Sequence, residues 1–283
     1  SGSGVFAVYG TMIINDGAVI ENCEVTGTGG GIWISQDGTF TMNGGTIRRC
    51  KAGGGGSAIS VDGTCTLRGG SITGNVDSEK NCAVYLRKNN CGDLTMGGIT
   101  IADNEYSVYN EDKDDDRGIS VTGDSTLSGS IYTMDAIIAS DKAMSSLTKT
   151  YEIMWAASPV PGTIVVKGSK DTQHYRLANT GYGLNPAGDG SSNLVVAQKY
   201  NVSFNKNGGS GTASDIEVIC GGTYGTLPSL TRTGYTFDGW YTAATGGSQI
   251  TAQTTVTATA AHTLYAHWTA NTYTVTYNKD GGT

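Results

Sequence analysis

This chain of 283 residues has few of the residues from which most enzyme and metal sites are built. It has three histidines, His174, His262 and His267, and no Cys-x-x-Cys or Cys/His spacing of a zinc site. Basic residues are outnumbered, 18 Lys and Arg against 25 Asp and Glu, for a net charge of −7, so nucleic acid is a poor partner. No apolar run approaches the ~20 residues needed to span a bilayer. Proline is scarce, with four residues, which argues against a Pro-rich disordered chain. No signal peptide is visible: SGSG enters directly into a strand pattern, which implies that a native N-terminus lies further upstream.

What the sequence does have is glycine, 43 residues of it, and repetition. GTMIINDGAVIEN (Gly10–Asn22) aligns without a gap on GTFTMNGGTIRRC (Gly38–Cys50), GTCTLRGGSITGN (Gly63–Asn75) and GDLTMGGITIADN (Gly92–Asn104). Starts 25 to 29 residues apart are a solenoid period. The columns carry the chemistry of strands. Met12, Phe40, Cys65 and Leu94 form one apolar column, and Ile14, Met42, Leu67 and Met96 a second. The residue between them is mostly Thr, which is the two-residue alternation of a half-buried strand. Val19, Ile47, Ile72 and Ile101 form a third column, after glycines that let the backbone turn. A further strand precedes each copy: FAV (Phe6–Val8), IWI (Ile32–Ile34), ISV (Ile59–Val61), VYL (Val84–Leu86) and VYN (Val108–Asn110).

Three short strands per turn, stacked at about 4.8 Å, describe an all-β fold, a right-handed parallel β-helix. A fourth column, Asn22, Cys50, Asn75 and Asn104, marks a corner at which amides can bond from coil to coil, with Cys23 one position off it. The repeat decays beyond GISVTGDSTLSGSI (Gly118–Ile131), as terminal coils do. The β-helix is expected over residues 1–199. Its GGxI-type coils look like those of surface proteins from gut and host-associated bacteria.

From Tyr200 the character changes. YNVSFNKNGGS (Tyr200–Ser210) returns as YTVTYNKDGGT (Tyr273–Thr283), with TGYTFDGWYTAATGG (Thr233–Gly247) and HTLYAHWTA (His262–Ala270) between. This closely resembles the Listeria–Bacteroides repeat, known also as the internalin B-repeat of bacterial surface proteins. The resemblance implies a small β-grasp-like domain over 200–270, a second repeat starting at 271–283, and a spacer role on the bacterial cell surface. So small a domain has little core, and Phe204, Phe237, Trp240 and Trp268 would supply most of it.

The pectate-lyase-like β-helix class hosts polysaccharide lyases and glycoside hydrolases, so such an enzyme is the alternative reading. Its hallmarks, paired Asp within strands, a Gly-His-Gly turn and Arg-x-Lys, are missing, and no catalytic residue is assigned. No cofactor is expected. Asp112, Asp114 and Asp116 in EDKDDDR could ligate calcium, but a solvated charged loop explains them as well, and no metal site is assigned. Cys82 and Cys91 bracket one strand and could be bridged; otherwise the cysteines read as small core hydrophobes. His262 and His267, five apart on a strand, fall on opposite faces.

One outward column stands out: Trp33, Ser60, Tyr85 and Tyr109. Aromatics stepping along a solenoid suit sugar rings, so Trp33, Tyr85 and Tyr109 are the expected carbohydrate-binding residues. The expected function is a non-enzymatic extracellular protein of the bacterial cell surface, whose β-helix presents an adhesion or glycan-contact surface to polysaccharide, or to a host surface glycan or protein.

Overall fold

The computed structural model describes residues 4–87, 92–111, 118–134, 136–139, 150–155, 158–169, 172–278 and 280–281. It forms two compact units, Ser1–Ala197 and Gln198–Thr283. Among the described residues there is no helix in either.

In the first unit each of the early turns of the chain lays one strand on each of three sheets, in which these strands run parallel. The first sheet stacks Phe6–Val8, Ile32–Ile34, Ile59–Val61, Cys82–Leu86, Tyr106–Asn110, Ser130–Thr133, Tyr151–Trp155 and Tyr175–Leu177, all parallel. The second begins with Thr11–Ile14, Thr39–Met42, Thr64–Leu67 and Asp93–Met96, again parallel and in register. The third stacks Val19–Glu21, Thr46–Arg48, Ser71–Thr73, Thr100–Ala102 and Thr126–Leu127. The apolar columns meet in space as the alternation requires. Phe40 lies on Cys65 and Met42 on Leu67, and all four are fully buried. Successive coils bury each other's inward face, so the core is a continuous stack.

The first coil departs from the gapless alignment. Ile20, not Val19, pairs with Ile47, and Val19 pairs with Thr46 and is half exposed. The cause is the turn: between the paired strand ends Ile14/Met42 and the next pairing at Val19/Thr46, the first coil uses 15–18 where the second uses 43–45. The extra residue moves the corner too. Asn22 aligns with Arg49, and both take the left-handed conformation, as do Gly74 and Asp103 on the next coils. The inward corner column is therefore Cys23, Cys50, Asn75 and Asn104. Asn75 accepts from the Cys50 N–H at 2.9 Å and donates to Ile47 O at 3.1 Å, and Asn104 donates to Asn75 O at 2.9 Å. The amide ladder is present at these two coils, and the two cysteines fill the corner before it.

The second unit is one mixed sheet. The stretch Lys199–Asn205 of the strand Asn193–Asn205 pairs parallel with His262–Ala270 in the centre. Ile216–Ile219 flanks one side and Tyr235–Tyr241 the other, both antiparallel, with Gln249–Ile250 at the edge. The central pair is parallel and its neighbours antiparallel, with no helix among the described residues. Trp240 fills the core and donates to Pro228 O at 2.7 Å; Trp268 donates to Lys206 O at 3.1 Å and lies 5.1 Å from Phe237.

Among the described residues, Cys23, Cys50, Cys65, Cys82 and Cys220 are free thiols. Cys91 lies outside them, and with it the Cys82–Cys91 pairing. Burial pushes the thiols of Cys65 and Cys82 well up, as expected for small core hydrophobes.

Candidate functional site: the outward face of the first sheet

Side chains two residues apart share a face of a strand, so outward side chains of the first sheet line up in columns, two of which carry the candidate site. One runs Ala7, Trp33, Ser60, Tyr85, Tyr109 and Tyr132. The other follows the strand ends as Tyr9, Ser35, Asp62, Arg87 and Glu111, joined coil to coil by backbone bonds such as Asp62 N to Ile34 O at 3.0 Å. Sequence reading found the first column. It missed the second, whose residues lie just past the apolar alternation and so read as turn.

The columns are bonded diagonally. Trp33 Nε1 donates to Asp62 Oδ2 at 2.8 Å, and Arg87 Nη1 reaches the same oxygen at 2.8 Å. Tyr9 stands edge-on to the indole, with ring centres 5.6 Å apart. Two coils further on the scheme repeats: Tyr85 OH donates to Glu111 Oε2 at 2.7 Å, and Lys80 Nζ to Glu111 Oε1 at 2.8 Å. Lys80 is placed by Asp77, whose buried carboxylate accepts the backbone N–H groups of Glu79, Lys80, Asn81 and Cys82. Glu111 holds the Lys80 ammonium above its usual value. Burial, then Glu111, pushes the Tyr85 phenol well up.

The three expected aromatics share their column; Tyr85 is buried, whereas Trp33 and Tyr109 are both partly exposed. Tyr85 is only 7% exposed, closed in by Gly55, Gly56 and Lys80. Glycine is required at both positions, because each takes positive φ and a Cβ at either would press on the Tyr85 side chain. Tyr109 stacks flat on Tyr132, 4.1 Å centre to centre and 9° between planes, with Tyr106 edge-on to both. These rings cover one another's faces. Trp33 has only Ala7 and Ser60 as column neighbours, and its indole reaches over the fully buried Ser60 towards Asp62. It is partly exposed, and among the described residues the ring that touches it is Tyr9, edge-on.

Elsewhere the expected residues are dispersed. His262 meets Tyr224 OH at 2.8 Å, while His267 stacks on Tyr241 and meets Ala243 O at 2.9 Å. Asp112, Asp114 and Asp116 lie outside the described residues. Among the described residues no three His, Cys, Asp or Glu converge as metal ligands, and no helix is long and apolar enough to cross a membrane. Depressions among the described residues include one of about 220 Å³ beside Glu152 and Arg176 and one of about 420 Å³ beside Arg232, Asp238 and His267.

The fold and this face define a class: a parallel β-solenoid followed by a small repeat module. Comparison with known proteins agrees. Residues 3–142 match the family model for a right handed beta helix region, and residues 200–267 match that for the Listeria-Bacteroides repeat domain. Internalin H of Listeria monocytogenes is 47% identical over 51 residues, which is 18% of this chain and 9% of that protein. The similarity therefore covers a small part of either protein.

Proposed function

We propose that this is a non-enzymatic protein of the bacterial cell surface, in which the β-helix presents its first sheet to extracellular polysaccharide and the repeat module acts as spacer. The observation that carries this reading is the use made of the two carboxylates beside the aromatic column. Asp62 is taken by Trp33 and Arg87, and Glu111 by Tyr85 and Lys80. Ion-paired acceptors fix an aromatic surface; they do not leave two carboxyl groups facing one glycosidic bond. The repeat module and the similarity to Internalin H support a surface or secreted location.

The test is a polysaccharide panel probed in two ways, by retention in affinity electrophoresis and by release of reducing ends, with and without calcium. Retention of at least one polymer without cleavage is expected. Cleavage would replace this reading with the lyase or hydrolase alternative. No retention at all would leave a stalk without a ligand.

A further inference from the structure

Resting on that reading, we propose that its sugar-contacting subsite is Trp33 with Tyr9 and Arg87, that the ligand is an uncharged pyranose chain, and that the tyrosine stack is a structural ladder. The first step is which faces are open. Stacking on a sugar needs a free aromatic face, and the flat 4.1 Å contact between Tyr109 and Tyr132 occupies one face of each. Tyr106 abuts both rings edge-on and Tyr85 is buried. Trp33 has no aromatic above or below it in its column, and Tyr9, 71% exposed, forms a wall at 82° to its plane.

The second step is rigidity. The indole is pinned through Nε1 to a carboxylate that is itself nearly buried, with 7% of the Asp62 side chain exposed. A platform fixed in advance loses little side-chain entropy when a ligand lands on it.

The third step is charge. Trp33 Nε1 and Arg87 Nη1 sit 2.8 Å from one oxygen, so the indole edge and the guanidinium are at most twice that distance apart. A pyranose on the indole therefore lies within reach of Arg87. A guanidinium carries five N–H donors, and the contact with Asp62 uses Nη1, leaving others to point at hydroxyl oxygens. Because Asp62 neutralises that cation and the whole chain carries −7, a uronate or phosphate gains no net attraction. An amino sugar on the indole finds Asp62, the carboxylate beside it, already committed to Trp33 and Arg87. Hydroxyl groups are what remain.

The experiment uses the full chain with neutral hexasaccharides of gluco, manno and galacto type, polygalacturonate and chitosan, at low and high salt. Retention of a neutral oligomer, little changed by salt, is expected. Trp33→Ala should weaken it about tenfold, near the upper end of an aromatic contact. Arg87→Gln should weaken it by less, and Tyr132→Ala should leave it unchanged. Should Trp33→Ala fail to fold, the wild-type chain still decides: the Trp33 indole N–H signal, assigned by its loss in Trp33→Phe, must shift on titration. Neutral binding that survives Trp33→Ala, or leaves that signal in place, overturns the subsite but not the polysaccharide reading. Salt-sensitive binding of polygalacturonate or chitosan alone overturns the ligand class. Binding of none of them overturns both proposals.

Discussion

Trp33 and Tyr85 stand two coils apart in one outward column, and each donates to a carboxylate one coil further along, Trp33 to Asp62 and Tyr85 to Glu111. The solenoid repeat makes the two arrangements equivalent. A loop over Tyr85 makes them differ, because Gly55, Gly56 and Lys80 close one aromatic in while the other stays partly exposed.

Asp62→Ala should destabilise the solenoid by about 1–3 kcal/mol, since it strands the Trp33 N–H and the Arg87 guanidinium together. Asp62→Asn keeps one acceptor and should cost roughly half as much. Thermal melting followed by circular dichroism checks the order wild type, Asn, Ala; equal melting of all three would show that the carboxylate fixes nothing.

The corrected register makes its own prediction. Ile20→Ala should cost about 2–4 kcal/mol, as for a large-to-small change in a core, whereas Val19→Ala should stay within about 0.5. Asn75→Ala should cost about 1–3 kcal/mol, because the Cys50 N–H and Ile47 C=O lose their partner inside the stack. Melting temperatures of the three variants rank them.

How far the sequence was legible follows from the same residues. Phe40, Met42, Cys65 and Leu67 announced themselves because a half-buried strand has a period of two and each coil repeats its neighbour. Val19 and Ile20 are both apolar, so alternation could not choose between them, and the extra turn residue carries no compositional mark. Asn22 and Cys23 shifted for the same reason. On the site, Trp33, Tyr85 and Tyr109 were legible as a column. Their ring orientations were not, since these depend on contacts such as Asp62 and Gly55 that come from other coils. The second unit was legible through its motif spacing, Asn207-Gly208-Gly209 to Trp240 to Trp268: Trp240 lies in its core, Trp268 packs against that core, and Gly209 lies against the Trp268 ring.

Alkali should loosen the Tyr85 end of the face. Lys80 has its pKa raised in the folded chain, so its stabilisation is complete below the ordinary value of 10.5 and is lost as pH rises through the folded value. Tyr85 is also raised, from an ordinary 10.0; above that pH the unfolded chain releases the phenol proton while the folded chain keeps it, so stability falls in the same direction. Melting temperature should therefore decline from about pH 10 upward, and Tyr85→Phe should flatten the decline. A Tyr85→Phe chain with an unchanged alkaline slope would remove the phenol from this account.

The repeat module offers a test of its tight core at Gly209. A Cβ there would collide with the Trp268 ring. The ring cannot step aside cheaply, because its indole N–H is bonded to Lys206 O at 3.1 Å and it packs, tilted, against the Phe237 ring. Gly209→Ala should then cost about 1–3 kcal/mol by overpacking. Because the two units have separate cores, hydrogen exchange should rise across residues 200–270 and stay unchanged in the first-sheet strands. Adding Trp268→Leu removes the colliding ring, so the double variant should lose less than the two single losses combined. Strict additivity would mean that residue 209 and the indole do not press on each other, and the collision would not be what selects glycine.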